Sequence, residues 1–396
     1  MRLNDKEYND FENTVCEIIY DKLTENPLLY SSPKFLQELI VGISDLFVVE
    51  WCDANLISND GDEEYIEELV TQMVDTFFID YDNEFPCRSA SDTRKMTFDK
   101  ARIAKQIEHL QTLPLPAQKS KEWYEYRHGL MTASNIWKAL STDAQRNSLI
   151  YEKCKPHDAV SSFSSGTLQW GILYETVSIM IYEKMFKTKI ADFGCIQHPT
   201  YKCIGASPDG INVDPDAERY GRMIEVKNIV NREITGIPKE EYWVQTQIQM
   251  ETCDLDECDF IETRFKEYET VTEFNNDTEQ EWRGVILRWE LNASGEHRVT
   301  APVYNHMPFD RLADVDVWIV ERKNEMKANH RLSSVSYWYL DEFSCVYVPR
   351  NRRWFKAALP VLLNTWDIIV KERETGYEHR AAKKRENKPM CLIKLE

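Results

Sequence analysis

Residues 222–230 read RMIEVKNIV, and this run limits the fold more than any other stretch of the chain. Its apolar and β-branched residues mark a strand, yet Glu225 and Lys227 sit in its middle, two positions apart. Alternate side chains of a strand share a face, so the acid and the ammonium project together. Most E-x-K strands are salt-bridged edges in water. Here Met223, Ile224, Ile229 and Val230 flank the pair and argue for burial. A buried ion pair costs desolvation unless something compensates, such as a bound cation. The fold therefore has to supply a sheet with a charged pocket on one face.

Other carboxylates precede it. In GASPDG a turn holds Asp209 between Pro208 and Gly210, and WGILYE ends in Glu175. Carboxylates grouped in this way can collect Mg²⁺ or Mn²⁺, hard cations that take oxygen ligands. The Lys227 ammonium can then orient an attacking water or offset charge building on a phosphate. Each piece alone is ordinary: S-P-D-G is a common turn and Glu175 reads as a solvated helix residue. Their order along the chain adds weight. Arg127, Thr132 and Ser134 lie just before a helix, where Thr or Ser is normally an N-cap. The same hydroxyls and amides beside an arginine also suit a phosphate group. Gln245 and Gln249 lie four apart on one helical face, either as an ordinary polar helix face or as an amide that positions the attacking water or a ligand.

The 396 residues suggest two or three structural units. Residues 1–90 carry 5 basic and 21 acidic side chains and read as helical. FENTVCEIIYDKL spaces Phe11, Val15, Ile18 and Ile19 as a helix face, FLQELIVGISDLF repeats the pattern, and EEYIEELVTQMVDTFF aligns Ile66, Val70, Met73 and Val74. This unit reads as an acidic accessory region (1–95), with a DNA-mimicking or partner-docking surface as the sharper alternative. PCRSASDTRK, residues 86–95, reads as a linker. Residues 91–396 hold 43 basic and 46 acidic side chains, so the strong anionic repulsion of a nucleic acid is confined to the first quarter. From residue 96 to 375 helix-like and strand-like segments alternate, among them Ala101–Thr112, Leu168–Lys187 and Glu240–Thr252 as helices and RMIEVKNI and DFIETRF as strands. Residues 376–396 read as a loose basic tail.

Ten scattered cysteines without a C-x-x-C pair point to free, mostly buried thiols rather than a disulfide framework or a zinc ribbon. No run reaches the ~18 apolar residues of a membrane span. MRLNDKEYND lacks the apolar core of a signal peptide, so a soluble protein of the cytoplasm or nucleus is expected.

In order along the chain stand W-x-x-x-R-x-G-x-x-T-A-S (Trp123 to Ser134), W-G-x-x-Y-E (Trp170 to Glu175), S-P-D-G (Ser207 to Gly210), E-V-K (Glu225 to Lys227) and Q-x-Q (Gln245, Gln247). Together they resemble the phage lambda exonuclease/YqaJ-type viral recombinase nucleases of the PD-(D/E)XK superfamily, over about residues 105 to 265. The resemblance implies an α/β (α+β) fold with a restriction-endonuclease-like core (120–265), in which helices flank a mixed central sheet, here with an N-terminal helical extension. It implies Mg²⁺- or Mn²⁺-dependent hydrolysis of DNA, digesting 5′→3′ from duplex ends, in recombination, repair or replication.

Carried over, Glu175, Asp209, Glu225 and the backbone carbonyl of Val226 become metal ligands. Lys227 becomes the catalytic lysine and Gln245 the motif glutamine. Arg127, Thr132 and Ser134 become the grip on a 5′-terminal phosphate. The acidic extension and the C-terminal WF…LP…W helix resemble the versions carried by large DNA viruses, which would place the protein at a replication site in a host cell. The extension departs from the compact phage enzymes and leaves their ring assembly, and the oligomeric state, open. Iron–sulfur relatives need three closely spaced cysteines after the core; only Cys345 and Cys391 follow it, so no cluster is expected. A single-strand annealing protein is a candidate partner, and Lys138, Arg232 and Arg264 are candidate contacts to the DNA backbone. The alternatives are an endonuclease of the same core, acting on branched or nicked DNA, and an inactive DNA-binding subunit. A retired site has no reason to keep this charge set.

Overall fold

The computed structural model describes residues 3–53, 60–91, 99–118, 120–156, 166–292 and 302–382. The apolar spacing of the N-terminal quarter produces three helices: α1 (Asp5–Glu25), α2 (Phe35–Asp53) and α3 (Asp60–Asp80). Asn4 caps α1 by accepting from the Lys6 and Glu7 amides while Glu7 returns a bond to the Asn4 N–H, closing a capping box. Phe11, Val15, Ile19 and Leu23 then face inward, as do Ile66, Val70, Met73 and Val74 of α3. Ile18 is only half-buried, because a helix core stripe is narrower than the four residues the spacing groups together.

The chain continues through β1 (Ala90–Ser91), α4 (Lys100–Thr112), α5 (Lys121–His128), β2 (Met131–Thr132), α6 (Ala133–Leu140), α7 (Asp143–Cys154), α8 (Gly166–Phe186), β3 (Ile190–Ala191), β4 (Ile196–Gln197), β5 (Ile204–Ala206), β6 (Gly210–Asn212), β7 (Met223–Asn228), α9 (Glu240–Cys253), β8 (Glu257–Glu267), α10 (Val271–Asn276), β9 (Arg283–Leu291), β10 (Val303–His306), α11 (Val315–Met326), β11 (His330–Pro349) and α12 (Arg352–Thr375). The main sheet runs β10-β9-β11-β8-β7-β6-β3. Within it β7 and β8 are parallel and joined through α9, and the other pairs are antiparallel, so the sheet is mixed. The twenty residues of β11 serve two partners in turn, β9 with the first half and β8 with the second, and register shifts at Leu332/Ser334 and Leu340/Glu342 allow the change. A smaller sheet, β2-β5-β4, stands beside it.

Because β7 and β8 lie mid-sheet, both of their faces are covered. Ile224, Val226 and Ile261 pack with Tyr182 and Ile179 of α8. The opposite face, carrying Glu225 and Lys227, meets α9. On the α8 face, Asp259 accepts from Arg219 at 2.6 Å, Arg222 at 3.0 Å and the Tyr182 hydroxyl at 2.5 Å, which fastens the β6–β7 connection to β8.

Of the linker expected at 86–95, residues 86–91 are tied into the fold, and residues 92–95 lie outside the described residues. Arg88 is buried, its Nε donating to Tyr30 O at 2.9 Å and its Nη2 to Pro238 O at 2.7 Å, and β1 adds to the end of β11. A buried guanidinium needs such carbonyls, and placing it there stitches the first helices to the rest. Their buried residues share one core with α4, α6, α9 and α12, and the Tyr30 ring stacks 6.4 Å from Trp243. The tail begins ordered, since Arg380 pairs with Glu372 at 2.6 Å; residues 383–396 lie outside the described residues. The described cysteines form no disulfide, and five of them, Cys154, Cys195, Cys203, Cys253 and Cys258, are buried. No described helix is long and apolar enough to cross a membrane.

Candidate active site

Strand β6 pairs with β7 at Gly210↔Ile224 and Ile211↔Met223, and there the ladder stops. Continuing that antiparallel register puts Asp209 opposite Glu225, just past the last pair. The Val226 N–H, left without a β6 carbonyl, donates instead to Asp209 Oδ2 at 2.7 Å. Gly210 is needed where β6 passes β3, since a Cβ there would stand 2.1 Å from Ile190 Cγ2. The turn that the Pro208/Gly210 spacing predicts thus seats its aspartate at the fork of two strands.

Glu225 is 1% exposed, and both of its carboxylate oxygens accept hydrogen bonds. Lys227 forms its ion pair, Gln245 Nε2 donates to Oε1 at 2.7 Å, and Gln249 Nε2 donates to Oε2 at 2.6 Å. Lys227 Nζ also donates to Gln245 Oε1 at 3.3 Å and stands 4.8 Å over the Tyr242 ring. Burial alone would lower the Lys227 ammonium, but the charges of Glu225 and Asp209 outweigh it and hold the group above its usual range. Burial, with Glu225 and then Glu175, pushes the Asp209 carboxyl well above the ordinary carboxylate range.

The α9 glutamines divide by helical spacing. Gln245 and Gln249 face the sheet together. Gln247 turns away, its Nε2 donating to Pro349 O at 2.9 Å and its Oε1 accepting from the Asn351 N–H at 2.7 Å. The Q-x-Q motif therefore contains one residue of the charged cluster and one structural residue.

Glu175 projects from an exposed position on α8, within electrostatic reach of Asp209. Its helix is anchored by Gly171 O, which accepts from Asn228 Nδ2 at 3.0 Å, and by Tyr174, stacked 4.6 Å from Phe265. Arg127 of α5 lies 4.4 Å over the Trp123 ring and donates from Nη1 to Ser207 Oγ at 2.8 Å, two residues before Asp209. β2 runs parallel to β5 and pairs Thr132 with Gly205, two residues before Ser207, and Ser134 follows in the first turn of α6. Thr132, the N-cap position of α6, is buried, and its N–H and hydroxyl both donate to Asn135 Oδ1, whereas Ser134 is exposed. Of the two hydroxyls, Ser134 is the one open to a ligand.

The candidate backbone contacts are engaged within the chain. Lys138 pairs with Glu152 at 3.1 Å, Arg264 with Glu342 at 2.6 Å, and Arg232 with Glu262. Sequence reasoning missed two contacts. Ser207 partners Arg127, and its place in S-P-D-G could have suggested it; Tyr242 supports Lys227, and nothing in the sequence pattern points there.

Among the described residues no three His, Cys, Asp or Glu side chains are grouped so as to hold a metal ion as they stand. The donor chemistry nevertheless fits a hard divalent cation. Asp209, Glu225 and Glu175 set carboxylate charges against the single ammonium of Lys227, and Gln249 Oε1 is a buried acceptor with no partner. A cation would answer both.

Residues 122–256 match the family described as the YqaJ-like viral recombinase domain. An uncharacterized protein of Acanthamoeba polyphaga mimivirus is 25% identical over 305 residues, covering 68% of this chain and 55% of that protein; the chain thus spans about half the length of this curated relative. A crystal structure of an alkaline exonuclease from Laribacter hongkongensis aligns with 19% identity and a TM-score of 0.38, covering 66% of this chain and 95% of that one. A structure described as the same exonuclease with dAMP aligns with 20% identity and the same score.

Proposed function

We propose that this chain, which carries a YqaJ-like viral recombinase domain at residues 122–256, is a divalent-metal-dependent exonuclease that digests one strand of DNA from duplex ends, 5′→3′, during recombination. The observation that carries this reading is the fork where Asp209, the Glu225–Lys227 pair and Gln245 meet, with Glu175 in electrostatic reach.

Asp209, Glu225 and Glu175, with the Val226 carbonyl, would hold the cation. When bound, it would supply Lewis-acid charge against the scissile phosphate. Lys227, steadied by Glu225, Gln245 and the Tyr242 ring, keeps a positive charge where phosphate charge builds in the transition state. Arg127 and Ser134 would receive the 5′-phosphate. An arginine stacked on Trp123 has little rotamer freedom left to lose, which favours a fork of parallel N–H donors on an anion.

The test is a comparison of a 5′-phosphorylated linear duplex, its 5′-hydroxyl twin and a closed circle, with Mg²⁺, with Mn²⁺ and with chelator. Metal-dependent loss of the phosphorylated duplex, slower loss of its twin and an intact circle are expected. Nicking of the circle would favour an endonuclease of this core. No cleavage of any substrate with either metal would favour a DNA-binding subunit.

A further inference from the structure

The buried amide of Gln249 is used on one side only. Its Nε2 donates to Glu225 Oε2 at 2.6 Å and lies 3.4 Å from Ser207 O, while its Oε1 has no hydrogen-bond partner. The side chain has no exposed surface. Its orientation is dictated by its neighbour: turned over, the amide would set an oxygen 2.6 Å from a carboxylate oxygen, two acceptors with no proton between them. The other two glutamines of α9 differ. Gln245 Oε1 accepts from Lys227 and Gln247 Oε1 accepts from the Asn351 N–H. An unmet acceptor at a buried position is expensive, and α9 keeps one beside the carboxylate cluster.

We propose that Gln249 is a positioning residue that this cluster needs in order to take up its cation. Through Nε2 it ties Glu225 of β7 to the backbone that leads into the Asp209 turn, so the two acids keep a fixed separation. Through Oε1 it receives a proton donor from the ion's hydration shell, which completes its hydrogen bonding only when the site is loaded. Ser207 enters twice: its carbonyl faces Gln249 and its hydroxyl accepts from Arg127. The proposed end-binding arginine and the strand acid are thereby joined through one turn. The inference rests on the metal-dependent reading above and adds a residue to it.

The experiment is titration calorimetry of the full chain with Mn²⁺ alone, without DNA, for the unaltered protein, Gln249→Leu and Asp209→Ala. Leucine nearly fills the glutamine's volume but supplies neither donor nor acceptor. Its expected effect is roughly a 10- to 100-fold loss of Mn²⁺ affinity, the size typical of groups that orient metal ligands. Melting of the metal-free protein shows whether the variant folds. A folded Gln249→Leu that binds Mn²⁺ within twofold of the unaltered chain overturns the inference, even where Asp209→Ala abolishes binding. If Gln249→Leu does not fold, a crystal structure of the unaltered chain with Mn²⁺ decides. A water or ion on Gln249 Oε1 supports the proposal, and a bare oxygen in a loaded site refutes it. No Mn²⁺ uptake by the unaltered chain, or equal uptake by Asp209→Ala, would bring down the metal-dependent reading and this inference together.

Discussion

Asp209 and Lys227 belong to one cluster but do opposite things to stability. The lysine is held by opposite charges against its burial, while the aspartate is disfavoured as an anion by burial first and then by the like charges of Glu225 and Glu175. Replacing Asp209 with Asn keeps an acceptor for the Val226 N–H and removes the repulsion. Asp209→Asn should therefore raise the melting temperature of the metal-free protein by a few degrees, about 1–2 kcal/mol, and abolish cleavage. Lys227→Ala should abolish cleavage with Mn²⁺ affinity largely kept. Thermal melts and nuclease assays on both variants check this; a destabilised Asp209→Asn, or an active Lys227→Ala, would contradict the charge assignment. Lys153 offers a pH test away from the cluster. Buried at 5% exposure with its Nζ on Arg127 O, it is pushed down to about 8 by burial, with Arg127 and Arg373 adding to the effect against Glu152. Between pH 8 and about 10.5 the unfolded chain binds the extra proton, so this residue's penalty is full below pH 8 and fades as pH rises through that window. In melts, the stability of Lys153→Met relative to the parent should fall between pH 7 and pH 10.5.

At the scale of elements, most of the fold follows from spacing. The helix periods of residues 5–25 and 60–80 and the apolar run at 223–228 become α1, α3 and β7 because each has one burial solution that satisfies its period. The joints between elements are set otherwise. Gln247 fastens α9 to the start of α12 through two backbone groups, Pro349 O and Asn351 N–H. Its companions at 245 and 249 look identical in sequence and face the carboxylate cluster. Gln247→Leu should orphan both buried groups and cost about 2–4 kcal/mol. Any loss of cleavage should follow the loss of folded protein. Denaturant titration alongside specific activity per folded molecule separates the two; full stability with reduced turnover would assign Gln247 to the chemistry instead.

For the whole molecule, the acidic first quarter is built into the shared core. Tyr30 stacks on Trp243, the Trp243 Nε1 donates to Arg88 O at 2.8 Å, and Arg88 in turn holds the Tyr30 and Pro238 carbonyls. A chain beginning at residue 86 would open this cluster to water and leave Arg88 short of an acceptor. It should fail to give a cooperative melt; one matching the full chain would show that the N-terminal helices are dispensable to the core.

The sequence by itself determined which residues carry charge into an apolar strand, that a Pro/Gly turn presents an aspartate, and where helices and strands alternate. Those are local matters, governed by periods of 3.6 and 2 and by backbone preferences a few residues long. Only the tertiary structure decided that β6 pairs with β7 from Gly210 onward, one residue after Asp209, that Gln249 and Ser207 join the cluster, and that Arg88 and β1 tie residues 86–91 into the fold. Each of these turns on where a ladder ends or which orphaned polar group finds a partner distant in sequence. Such contacts are settled by packing energies summed over the whole core, which no local pattern encodes.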